Sequence, residues 1–185
     1  MTDESSRGKL SGDGRLQGAV IMSAFASMWE ILGVSGLAPQ VQGPALFSAF
    51  AAAVLVAAAA VALTVRLGTR TRPRRIRRVL PSSLRIFRLV NIGQTVAIVG
   101  AVFALGRFDL WDYIPVAVCL VVGLHFLPLA RFFAQPQYWW TGGLLTSLAL
   151  ACALLPAGGA DARLLLGFGA ALALWATAAH VAHRG

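Results

Sequence analysis

Six long apolar segments crowd into 185 residues, and this density limits the chain to very few folds. They run over residues 17–38, 44–67, 86–106, 111–131, 138–155 and 162–182. Each is about as long as the ~20 residues a helix needs to cross a bilayer's hydrocarbon core. The stretches between them are short, which leaves no room for a separate soluble domain. Inside lipid, a continuous apolar span satisfies every backbone N–H and C=O only as a helix. A β-barrel would instead show short segments alternating apolar and polar positions, and these runs do not alternate. The expected fold is therefore all-α: a polytopic transmembrane bundle of six spans over residues 17–185. Residues 1–16 are polar, without apolar periodicity, and are expected to form a disordered cytoplasmic tail.

Charge placement sets the expected orientation. The net charge is +9, with charged residues making up only 12% of the chain. Nine arginines (66, 70, 72, 74, 75, 77, 78, 85 and 88) lie around the connection at 68–85. Arg7, Lys9, Arg15, Arg131 and Arg184 fall on the same side of an alternating path, whereas Arg107 and Arg163 fall on the other. This 14-to-2 division follows the positive-inside rule and predicts both termini in the cytoplasm. Within the loop, Arg70, Arg72, Arg74, Arg75, Arg77 and Arg78 act as topology determinants and suit anionic lipid headgroups. Part of this loop is expected to form a surface amphipathic helix. No groove-reading or aromatic nucleic-acid module accompanies the charge, so nucleic acid is not expected as a partner. Arginine supplies 15 of the 16 basic residues and alanine is abundant, a bias typical of GC-rich bacterial genomes. A bacterial inner membrane is the expected location. The first span is expected to be retained, because Glu30 interrupts it, it is too long for a signal peptide, and Pro39 follows Gly36-Leu37-Ala38, whose small residues have cleavage-site spacing.

Ionisable groups within a span are costly and are functional candidates by default. Glu30 lies about 20 Å along the first span from its cytoplasmic end, at 1.5 Å per residue. Ser23, Ser27 and Glu30 are spaced i, i+4 and i+7, so they form one polar stripe. With no cation expected at that depth, Glu30 is either protonated or open to a water-filled cavity. In span four, Pro128 withholds an N–H from the carbonyl of Leu124, beside His125, and predicts a kink. Asn91 and Gln94 share a face of span three at depths of about 8 and 12 Å, bracketing the ~9 Å of His125. A polar cluster of Asn91, Gln94 and His125 is expected, serving as a binding site or as interhelical glue.

Other chemistry finds little support. Cys119 and Cys152 lie inside spans and read as small packing residues. His180 and His183 suit the negative end of the last helix. No metal-binding spacing, phosphate-binding loop or hydrolase motif occurs, so no cofactor, metal or catalytic residue is expected.

Asn91-x-x-Gln94, Ile114-Pro115 and Val122-Gly123-Leu124-His125-Phe126-Leu127-Pro128-Leu129-Ala130, followed by Phe132 and Phe133, resemble a family of small, uncharacterised bacterial polytopic membrane proteins. The resemblance covers about residues 86–156 and implies a multi-helix inner-membrane protein. It supplies no activity. Three classes remain open from the sequence, of which a membrane enzyme or cofactor carrier has no motif to support it, leaving two with supporting features. One is a small proton-linked transporter or channel using Glu30 and His125; the other is a structural or interaction protein. The latter would be a partner subunit or a lipid-organising bundle without transport, and a homo-oligomer or a membrane partner is compatible with either.

Overall fold

The computed structural model describes residues 3–38, 41, 43–70, 81–133, 136–156 and 158–184. Side chains are described from Gly18 onward within these segments, except at 67–70, 81–84, 87, 133 and 184. The described residues form helices without strands: α1 (Asp3–Ser35), α2 (Pro44–Arg70), α3 (Pro81–Arg107), a short 3-10 turn (Trp111–Tyr113), α4 (Ile114–Phe133), α5 (Pro136–Ala153) and α6 (Ala160–Arg184). Three of these helices open on a proline (44, 81 and 136), where the missing N–H has no intrahelical acceptor to lose.

Several boundaries differ from the sequence expectation. Helix α1 starts at Asp3, so the polar stretch expected to be disordered is helical from that residue. No proline interrupts the run from Asp3 to Ser35. Helices α2 and α3 extend to Arg70 and from Pro81, which shortens the connection between them. Arg72, Arg74, Arg75, Arg77 and Arg78 lie outside the described residues, as does the expected surface helix, while Arg70 ends α2.

Five of the six helices are long and apolar enough to cross a membrane: α1, α2, α3, α4 with its preceding turn, and α6. Helix α5 is not among them, because its 18 residues include Gln137, Thr141, Gly142, Gly143, Thr146 and Ser147. It nevertheless lies between α4 and α6. Thr141 bonds Thr177 near one end of α5, and the Cys152 thiol lies 3.9 Å from the Ala162 carbonyl near the other.

By contact the helices follow one another in a row, α3–α4–α5–α6–α1–α2, in which α6 also touches α2 and α4. The two helices flanking the arginine-rich connection thus occupy opposite ends of the row. Both present bulky apolar side chains outward, with Phe47 of α2 77% exposed and Phe103 of α3 76% exposed. In water such faces would drive aggregation; in a bilayer they meet acyl chains. Lipid is as apolar as leucine, so helix association there rests on close packing of small residues. The buried core fits this pattern, since Ala26, Ala149, Ala170, Ala171 and Ala178 are all essentially inaccessible.

Two glycine contacts fix the row. A Cβ at Gly167 of α6 would collide with the backbone of Gly33 and the Trp29 carbonyl on α1. A Cβ at Gly123 of α4 would lie 2.7 Å from the Thr146 nitrogen on α5, and one at Gly142 would lie 2.8 Å from the Gly123 carbonyl. At each site the absent side chain is what permits the approach.

Candidate functional site

The Gly33–Gly167 contact sets the register of α1 and α6, which run antiparallel. Gly36 faces Ala160 and Leu164 on the same seam. Successive residues on α1 that look toward α6 are therefore Ala19, Met22, Ala26, Trp29, Gly33 and Gly36, recurring at helical spacing. Ser23 and Glu30 lie together beside this stripe, two turns apart on one side of it. Ser23 identifies that side: its hydroxyl is 3.0 Å from the Thr64 hydroxyl on α2. Glu30 thus occupies the junction of α1, α2 and α6.

The Ser27 hydroxyl donates to the Ser23 carbonyl at 3.0 Å, and Thr64 donates to the Ala60 carbonyl at 2.8 Å. Such back-bonding gives a hydroxyl a partner within its own helix, which a lipid environment requires. Glu30 is different. It is only 5% exposed, and its buried Oε2 has no hydrogen-bond partner among the described residues. Counting from the Ser23–Thr64 pair, the α2 residue level with Glu30 is Ala57, within the alanine-rich face of that helix.

A second hydroxyl pair, Thr141 on α5 and Thr177 on α6, meets at 2.6 Å. Thr177 is ten residues past Gly167 and Ser23 is ten before Gly33, so in antiparallel helices the two pairs lie at one depth. Hydroxyl bonds thereby tie α2 to α1 and α6 to α5 at a common level, about 10 Å from Glu30 along the bundle. Sequence reading found Ser23 but missed Thr64, Thr141 and Thr177. A lone threonine in an apolar run has no periodic partner to mark it, and only packing shows which helix it meets.

The structure modifies the expected cluster of Asn91, Gln94 and His125. His125 does reach α3, but its imidazole bonds the backbone of Val90. The other ring nitrogen, Nδ1, is buried and lacks a partner. No hydrogen bond among the described residues joins Gln94 to His125. Asn91 and Gln94 are both half-buried, and the Asn91 carbonyl accepts from Thr95 at 3.0 Å. Backbone competes with side chains here, because Val90 brings a carbonyl to the ring at the depth expected for the amides. Pro128 lies inside α4, which continues through it to Phe133. His125 and Glu30 occupy separate regions: the former faces α3 and the latter faces α2 and α6.

The two cysteines are buried and unpaired, with the Cys119 thiol 3.5 Å from the Leu145 carbonyl. At the bundle end remote from the chain termini, Arg163 Nε donates to the Gly158 carbonyl at 2.8 Å. Gly158 adopts a left-handed φ of 66°, and a Cβ there would strike the Asp112 carboxylate. Among the described residues, no group of three or more His, Cys, Asp or Glu side chains is arranged to hold a metal ion. No family model, curated protein or solved structure matches this chain.

Proposed function

We propose that this chain is a multi-pass protein of a bacterial inner membrane that acts as a small proton-linked transporter or channel, with Glu30 as its proton-binding group. The observation that carries this reading is the buried Glu30 oxygen without a partner. A carboxyl in an apolar bundle is expensive to retain, and a merely structural one would be expected to have its hydrogen bonds satisfied. Six spans with both termini in the cytoplasm fit the alternating helix directions and the 14-to-2 distribution of basic residues. The arginines around the α2–α3 connection then face anionic lipid headgroups. In this reading His125 fastens α3 to α4, since the imidazole already has a backbone partner in Val90.

Proton flux into proteoliposomes tests the proposal, comparing wild type with Glu30→Gln and His125→Ala. Flux that disappears in a folded Glu30→Gln protein and persists in His125→Ala is the expected result. Absence of flux from the folded wild-type protein would instead favour the alternative of a structural or interaction subunit. The close glycine contacts between α1 and α6 and between α4 and α5 suit that second reading, because they build a tight scaffold.

A further inference from the structure

A second buried polar atom without a partner lies on α6, which packs against both α1 and α2. Trp175 of α6 is half-buried, and its indole Nε1 has no acceptor among the described residues. Its position follows from the contacts already described. The face of α6 toward α1 carries Ala160, Leu164, Gly167, Phe168, Ala171 and Ala178. Trp175 follows Ala171 and Phe168 by one and two turns, on the side of this stripe away from Thr177, which meets α5. That is the side on which α2 packs. Glu30 occupies the corresponding side of α1, next to the Ser23–Thr64 bond.

Depth and direction agree as well. The α6 residue level with Glu30 is Ala170, so the Trp175 backbone lies about 7 Å nearer the chain termini. Helical side chains lean toward their own N-terminus. On α1 this carries the Glu30 carboxyl toward the level of Trp175, and on antiparallel α6 it carries the indole toward Glu30. A donor without an acceptor and an acceptor without a donor therefore converge on one three-helix junction.

We infer that Trp175 is a positioning residue for Glu30: its indole N–H donates to the carboxylate when Glu30 releases its proton, and the contact opens when the proton returns. This rests on the reading of Glu30 as the proton-binding group. A neutral indole can stabilise the ionised carboxylate without introducing a fixed cation, so the group remains able to take up a proton again. Other charged or titratable groups on the three packed helices are remote. On α2 the nearest is Arg66, about 14 Å away in depth; on α6, His180 is about 15 Å away toward one end, and Arg163 and Asp161 are about 10 and 14 Å away toward the other. Within Gly18–Ser35 of α1, Glu30 is the only ionisable side chain.

The test uses the full-length protein in lipid nanodiscs with 15N-labelled tryptophan. Five indole N–H signals are expected, and Trp175→Phe assigns one of them by its loss. As pH rises, the Trp175 proton signal should move downfield in wild type. Glu30→Gln should abolish that movement while leaving the other indole signals as they were. A Trp175 signal that ignores pH in the folded wild-type protein, or moves equally in Glu30→Gln, would overturn the inference. Flux measurements separate it from the transport reading. Trp175→Phe should retain flux with a shifted pH profile, whereas an unchanged profile would also count against the pair. If the signal moves as expected but no flux occurs, the Trp175–Glu30 pair stands and transport falls.

Discussion

Gly33 and Gly167 bring the backbones of α1 and α6 together so closely that a single added methyl on Gly167 has no place to go. The obstruction is backbone on the partner helix, which cannot swing aside like a side chain. Gly167→Ala should therefore destabilise the fold by about 1–3 kcal/mol, the usual range for overpacking a filled core. Thermal unfolding in detergent checks this against Gly93→Ala and Gly100→Ala. A Cβ at either control position meets nothing within 4 Å, so neither control should lower the melting temperature.

The Ser23–Thr64 bond should show measurable coupling. Ser23→Ala and Thr64→Ala each remove one side of a buried hydroxyl pair while leaving small side chains behind. A double-mutant cycle on stability should give about 0.6 kcal/mol, the average for hydrogen bonds between membrane helices. Additive single effects would show that each hydroxyl is sufficiently satisfied by its own helix.

His125→Ala should lower stability without abolishing function. The ring links α4 to the Val90 backbone, and truncation removes that link together with core volume. A loss of about 1–3 kcal/mol is expected from leaving a buried polar group without its partner. The measurement is thermal unfolding alongside flux. Lost flux in a protein as stable as wild type would place His125 on the conduction path instead.

Gly158→Ala should disturb the α5–α6 turn for two reasons at once. The left-handed backbone disfavours any β-carbon, and that carbon would meet the Asp112 carboxylate. Asp112→Ala should remove the second obstruction but not the first, so the double variant should recover only part of the lost stability. Full recovery would show that backbone conformation contributes little at this turn.

Topology is open to a direct check. Single cysteines introduced at Ser5 and at Arg184, in a background lacking Cys119 and Cys152, should react with membrane-impermeant maleimide only after the cytoplasmic side is exposed. A cysteine at Asp109 should react from the outside. Labelling of both termini from outside would reverse the orientation read from the arginines.

The candidate site was only partly legible in the sequence. Glu30 was visible because a carboxyl interrupts an apolar run, and Ser23 and Ser27 because they share its helical face. The Ser23 partner Thr64 was invisible, because it belongs to another helix and a threonine is not unusual within a span. The His125 expectation concerned the contact between α3 and α4. It named side-chain amides where the structure supplies the Val90 carbonyl. Sequence periodicity does not reveal which backbone group a kink or crossing brings near a ring.

The sequence by itself determined the helical class, the apolar stretches of the long helices and the clustering of arginine between the second and third. Those properties follow from local composition, because an apolar run must satisfy its own backbone hydrogen bonds. Only the tertiary structure decided the order of the row and placed α2 and α3 at its opposite ends. It also decided that Glu30 faces α2 and α6 while His125 faces α3. In lipid the apolar surface of one helix resembles that of another, so hydropathy cannot choose neighbours; contacts as local as glycine on glycine make that choice.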